Sequence, residues 1–221
     1  MHKAAVAVLA VSMLFSCGCA RFCVRSLPAE DARELLDAAG ERLAGRFEVL
    51  SSVVLQYRVA RVSALGVTSV DRQEGRFAAA GLNPVGMKIF ELSGDRAGVE
   101  HAYVMPDIPG GDDLPSAVAE SIRAVYFGLI PAETDDARIR GRYMRIRTAE
   151  RAGMSYEYLF GFSARRLARK RCYRNGRLLW EVRYTGWGHD AEGRLYPLDA
   201  RFIHHLYGYR VSIAGYRGGV E

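Results

Sequence analysis

Apolar residues change their spacing several times along this 221-residue chain, and each change marks a new element. Residues 4–15 form a mostly apolar run behind a short basic start, Met1-His2-Lys3. Residues 20–27 read as a short tether. Pro28 then opens a helix, with Glu30 and Asp31 near the positive end of its dipole. Leu35, Leu36, Ala39 and Leu43 make one stripe, and Gly45 is a plausible stop. From Phe47 the period drops to two. Through Val59 the odd positions are nearly all apolar, while Glu48, Ser52, Gln56 and Arg58 fall on the other side, as in a half-buried strand. A second strand region runs from Gly66 to Leu82, broken near Asp71 to Glu74. The turn at Asn83-Pro84-Val85-Gly86, a strand from Met87 to Leu92, a polar turn at Ser93-Gly94-Asp95-Arg96 and a return strand from Val99 to Met105 follow.

Residues 106–115 form a loop rich in Pro, Gly and Asp that leads into a second helix, about Ser116 to Leu129. Leu114, Val118, Ile122, Val125 and Leu129 recur at helical spacing, Ser116 is placed to cap, and Pro131 ends the element. Asp135-Asp136 begins another loop. From Arg142 the pattern predicts strands only, at about 142–149, 154–162, 166–174, 177–186, 194–204 and 207–215. Asn175-Gly176 marks a hairpin, Gly186-Trp187-Gly188 the start of a longer loop and Tyr207-Gly208 a tight corner. Shared faces are clear: Tyr156, Tyr158, Phe160 and Phe162; Leu178, Trp180, Val182 and Tyr184; Tyr196, Leu198, Ala200 and Phe202; Tyr209, Val211 and Ile213. Meandering antiparallel strands with one apolar face curl into a barrel or half-barrel, and two amphipathic helices are available to cover its mouth. The expected class is therefore mainly β, an incomplete antiparallel barrel. A packed core and a lined cavity look alike in sequence, so both readings of the aromatic faces stand.

The apolar run at the start is too short to span a bilayer and fits a cleaved export signal. Leu14-Phe15-Ser16-Cys17 resembles the lipobox of signal peptidase II substrates, with a small residue before Cys17 and Leu three positions before it. The expected division is a signal peptide over 1–16, a lipidated tether over 17–28 and one domain over 29–221. Lipoproteins with Asp after the acylated Cys are retained at the inner membrane. Here that position is Gly18, which implies the periplasmic face of the outer membrane. An ordinary secretory signal is the alternative. Cys19 lacks the aliphatic residue three positions upstream and is a poorer acylation site. A disulfide from Cys19 or Cys23 to Cys172 stays open.

Lys and Arg total 31 against 25 acidic residues, and Lys occurs only at 3, 88 and 170, so the excess is almost all Arg. A basic surface favours anionic partners such as lipid headgroups. An export signal and the absence of a basic helix or aromatic-interleaved repeat argue against nucleic acid. Solvated strand faces account for the arginines more simply. No GxSxG, HExxH, P-loop or dinucleotide fingerprint is present. His204-His205 is the only His pair, and neighbours on a strand face opposite ways. Asp112-Asp113 and Asp135-Asp136 sit beside turn residues. No catalytic residue, metal site or cofactor is assigned, and a non-enzymatic protein is expected.

Several segments resemble one family: residues 82–92 (LNPVGMKIFEL), the loop and helix around Leu114 to Leu129, Tyr173-Arg174-Asn175-Gly176-Arg177-Leu178, Trp180-Glu181-Val182-Arg183-Tyr184 and the closing residues 207–213 (YGYRVSI). Their order, together with Cys17, resembles the predicted lipoproteins called domain of unknown function 3261, near the LolA/LolB lipoprotein carriers. The resemblance implies a half-barrel with helices across its opening and a cavity for a lipid-like ligand or the acyl chains of lipoprotein cargo. The expected lining is Val53, Leu55, Phe90, Leu92, Ile122, Val125, Trp180, Val182 and Phe202, with the second helix as lid. The turn at residues 93–98 is polar where LolB carries a protruding apolar residue. The alternative is an anchored scaffold or pilot protein with a packed interior, whose partner is an envelope protein complex.

Overall fold

In a computed structural model, the structure describes residues 24–57, 60–106, 108, 113–161 and 166–216. The expected signal peptide, Cys17, Cys19 and Cys23, together with Val59 and Phe162, lie outside the described residues. Two helices, α1 (Ala29–Glu41) and α2 (Leu114–Tyr126), accompany thirteen strands. In chain order the strands are β1 (Val24–Ser26), β2 (Arg46–Tyr57), β3 (Ala60–Asp71), β4 (Arg76–Leu82), β5 (Lys88–Gly94), β6 (Val99–Val104), β7 (Asp136–Arg140), β8 (Tyr143–Arg147), β9 (Met154–Gly161), β10 (Arg166–Arg174), β11 (Arg177–His189), β12 (Leu195–His204) and β13 (Tyr209–Gly215). All belong to one antiparallel sheet in the order β1-β7-β8-β9-β10-β11-β12-β13-β2-β3-β4-β5-β6. Its two edges, β1 and β6, do not meet, so the barrel is incomplete.

The sheet must bend strongly. α2 packs against both β12 and edge strand β6, which stand six positions apart in the sheet. In a flat sheet that separation is about 29 Å, well beyond one helix diameter. The strands therefore wrap around α2. Hairpin chemistry sets the register. Asn175 and Gly176 both adopt positive φ (49° and 73°), which their two-residue turn between β10 and β11 requires. At the β5–β6 turn the Asp95 carboxylate accepts the amides of Ala97 and Gly98 at 2.7 and 2.8 Å.

Each face of the sheet carries its own rows of side chains. On the concave face Ala137, Ile146, Tyr158, Lys170, Val182, Phe202, Val211, Leu55 and Val62 stand opposite one another across nine strands. On the convex face Arg138, Arg145, Leu159, Arg169, Arg183 and Arg201 form a second row. Beside it runs an ion ladder: Arg147 to Glu157 at 3.0 Å, Arg171 to Glu157 at 3.4 Å, Arg171 to Glu181 at 2.6 Å and Arg183 to Glu181 at 2.5 Å. The arginine stems cover Glu157 and Glu181, which are only 5% and 2% exposed. Seven arginines of the second half of the chain thus lie on the outer strand face.

Several boundaries differ from the sequence expectations. Asp135-Asp136 does not open a loop: Asp136 begins β7, a short strand whose apolar residues, Ala137 and Ile139, are too few to show a period. β7 in turn pairs with Val24–Ser26, which the composition places in the tether. Five strands, β2 to β6, separate the helices where about four are expected. α1 ends at Glu41 rather than near Gly45, because Arg42 to Ala44 turn aside to pair with Leu195. α2 begins at Leu114 behind Asp113, so Ser116 lies inside the helix and does not cap it. α2 ends at Tyr126, five residues before Pro131, where Phe127 turns extended. Gly186-Trp187-Gly188 stays within β11, which continues to His189 through two register shifts.

Candidate ligand groove

α2 lies in the hollow of the bent sheet and divides it. One side of the helix presents Leu114, Val118, Ile122 and Val125, all nearly fully buried. Between this side and β2–β5 and β13 the side chains meet so closely that a cavity of only about 30 Å³ is left, lined by Val53, Leu55, Phe90 and Ile122 among others. That is room for a single water. The other side of α2, carrying Glu120, Arg123 and Ala124, faces β9 to β11 across an open groove of about 670 Å³. Met154, Tyr156, Tyr158 and Trp180 supply its apolar wall. A third hollow, about 310 Å³, opens at the N-terminal end of α2 between Leu55, Tyr57, Ala117, Tyr207 and Tyr209.

Polar contacts hold the helix in this position. The Lys170 ammonium donates to the Phe127 and Ala124 carbonyls at 2.7 and 3.2 Å. These belong to the last turn of α2, where unsatisfied carbonyls and the helix dipole favour a cation. Gly128, which follows with φ 55°, lies against the same ammonium; a Cβ there would sit 3.4 Å from it. The Tyr184 hydroxyl donates to the Val125 carbonyl at 3.0 Å. Burial raises the tyrosine well above its usual pKa, so it stays a donor. Arg123 reaches the Gly98 and Asp95 carbonyls of the β5–β6 turn at 3.3 and 3.4 Å.

Nearer the N-terminus of α2, Glu120 accepts the Tyr209 hydroxyl at 2.6 Å and lies 3.4 Å from His204 Nε2. His204 Nδ1 accepts the Tyr207 amide at 3.1 Å, which places the ring proton on Nε2, facing Glu120. Burial works to raise the Glu120 pKa, but these hydrogen bonds outweigh it and hold the carboxyl below the usual range. His204, the last residue of β12, is 1% exposed, while His205 begins the turn that follows and is exposed. Among the described residues no three His, Cys, Asp or Glu side chains come close enough to hold a metal ion.

The expected lining residues separate into three groups. Val53, Leu55, Phe90 and Ile122 come together around the 30 Å³ cavity. Trp180 borders the large groove. Leu92, Val125, Val182 and Phe202 are core, at most 1% exposed, and line none of these three spaces. Cys17 lies outside the described residues. Cys172 is fully buried, and burial pushes its thiol up to about 11.

No family model matches the sequence, and no curated protein matches it. Among solved structures the chain is similar to a DUF1329 family protein from Desulfovibrio piger. That protein is 11% identical, with 86% of this chain and 92% of that one covered and a TM-score of 0.56. At this identity the likeness is one of fold. The chain is also similar to a LolA superfamily protein from Nitrosomonas europaea, 13% identical over 84% of this chain and 91% of that one, with a TM-score of 0.48.

Lys170, Glu120 and His204 are the polar groups that composition and motif spacing pass over. Lys170 carries a usable signal: it is one of three lysines in a chain whose other side-chain cations are Arg or His, and it shares the inward parity of β10 with Cys172. Glu120 and His204 carry none, because 84 residues of chain separate them and only the bend of the sheet joins them.

Proposed function

We propose that this chain is an acyl-anchored protein of the outer membrane, facing the periplasm, that holds the apolar part of a lipid-like amphiphile in the groove between α2 and β9–β11. The amphiphile is free or is part of a lipoprotein. The observation that carries this reading is the groove itself: about 670 Å³, walled by Met154, Tyr156, Tyr158 and Trp180, within the size range of ligand sites. The resemblance of the sequence segments to the LolA/LolB neighbourhood supports it, as does an open sheet wrapped around a helix. Burying one 16-carbon chain contributes up to roughly 10 kcal/mol before ordering costs. Its task is binding rather than catalysis. The side chains around the 30 Å³ cavity, Val53, Leu55, Phe90 and Ile122, join the ligand surface only if α2 lifts. The anchor is Cys17: radiolabelled palmitate is expected on wild type and not on Cys17→Ala, and equal labelling removes the anchor.

Native mass spectrometry of protein purified from its own host tests the cargo reading. A co-purifying lipid mass is expected; a consistently ligand-free mass with no uptake of a fluorescent fatty acid overturns it. The close packing between α2 and β2–β5 favours a second reading, an anchored scaffold for an envelope complex. Crosslinking in cells then recovers protein rather than lipid.

A further inference from the structure

We propose that the amphiphile held in the groove is anionic, with a carboxylate head seated against the Lys170 ammonium and its chain lying along Tyr156, Tyr158 and Trp180. This assignment rests on the groove reading above and names the class of ligand it takes. Lys170 is the one polar side chain apart from the Tyr158 hydroxyl in a concave row of nine residues, flanked directly by Tyr158 and Val182. It is 4% exposed and borders the groove. Among the described residues no carboxylate lies within ion-pair distance of it. Its contacts are two backbone carbonyls of α2 and the Trp180 ring, whose centroid is 5.4 Å away. An ammonium has three N–H donors, and two are engaged. A buried charge without a counter-ion is costly, and an anion entering the groove supplies one.

The remaining charges of the groove point the same way. Four cations line it, Arg96, Arg123, Arg151 and Lys170, against two carboxylates, Glu120 and Glu133. Both carboxylates are engaged, Glu120 by Tyr209 and His204, Glu133 by Arg151 at 2.5 Å. Arg96 and Arg123 instead donate to backbone carbonyls, with Arg123 also within the field of Asp95 and Glu120. An amphiphile entering along the aromatic wall thus meets unneutralised positive charge at the inner end. Burial, aided by the nearby positive charge of Arg72, pushes the Lys170 pKa down to about 7; a bound carboxylate holds the proton in place.

Equilibrium dialysis of delipidated mature protein against radiolabelled laurate and lauryl alcohol, at about pH 6.5 where both Lys170 and the carboxylate are charged, tests the head group. The two probes share a chain and differ only at the head. Laurate is expected to bind at least about tenfold tighter, and Lys170→Met to bring laurate to the level of the alcohol. Equal binding of the two by wild type overturns the Lys170 assignment and leaves the groove reading intact. Binding of neither overturns both. A second measurement needs no variant: carbodiimide coupling of bound laurate should give an amide at Lys170 in the peptide mass map, and coupling only elsewhere overturns the proposal.

Discussion

The two flanks of α2 face the same curved sheet and end up with opposite character. Toward β2–β5 the helix and sheet interlock, leaving about 30 Å³; toward β9–β11 they stand apart around about 670 Å³. Hydrophobicity does not separate the two sides, since aromatic and aliphatic residues line both. What differs is the helix. Its β2–β5 side carries Leu114, Val118 and Ile122, which interdigitate with small sheet residues such as Ala64, Gly66 and Ala79. Its other side carries Glu120 and Arg123, whose polar ends are bonded to the sheet and turns and cannot fill an apolar gap. A charged helix face opposite an aromatic strand face leaves a space suited to something amphiphilic.

Substitutions that treat the two flanks alike should give unlike results. Phe90→Ala on the filled side is expected to cost about 3–5 kcal/mol in urea unfolding, whereas Met154→Ala on the groove side costs about 1 kcal/mol or less. Similar losses would mean that the flanks are equally packed. Lys170 gives the next largest effect, as a pH dependence. Folded Lys170 loses its proton near pH 7, and its unfolded counterpart near 10.5. Between these values the unfolded chain binds more protons, so raising the pH from 7 to 10 stabilises wild type relative to Lys170→Met. The gain is on the order of 3 kcal/mol, read by denaturation at both pH values. A pH-independent difference would show that the ammonium is not desolvated.

Adding bulk sharpens the contrast further. Ala64→Leu, on the filled side, is expected to destabilise by about 1–3 kcal/mol because no void receives the extra atoms. Ala149→Trp, on the rim of the groove, should change stability by less than about 0.5 kcal/mol yet abolish fatty-acid uptake. Uptake that survives in Ala149→Trp would move the ligand elsewhere, the 310 Å³ hollow beside Tyr207 being the next place to look.

Much of the architecture is legible in the residue pattern. The six strands expected from Arg142 onward correspond to β8–β13, and the inward faces of Tyr156 and Tyr158, Val182 and Tyr184, and Tyr209, Val211 and Ile213 fall where alternation puts them. Alternation also misleads at bulges: Leu179 is buried because the register shifts opposite Cys172 and Tyr173, a shift that no period of two can announce. The site was less legible. Val182 and Phe202 read as lining on the same ground as Trp180, yet they are sealed in the core, because what covers a concave residue is a helix distant in sequence.

From its residues alone this chain determines two amphipathic helices and an antiparallel sheet with one greasy face, since each depends only on local spacing and backbone preference. Tertiary structure alone decided where the hollow is filled and where it stays open. That choice depends on which edge of α2 faces which strands, and on Lys170, Tyr184 and Tyr209 tying it there. Such contacts join residues tens of positions apart, and their energies exist only once the sheet has bent around the helix.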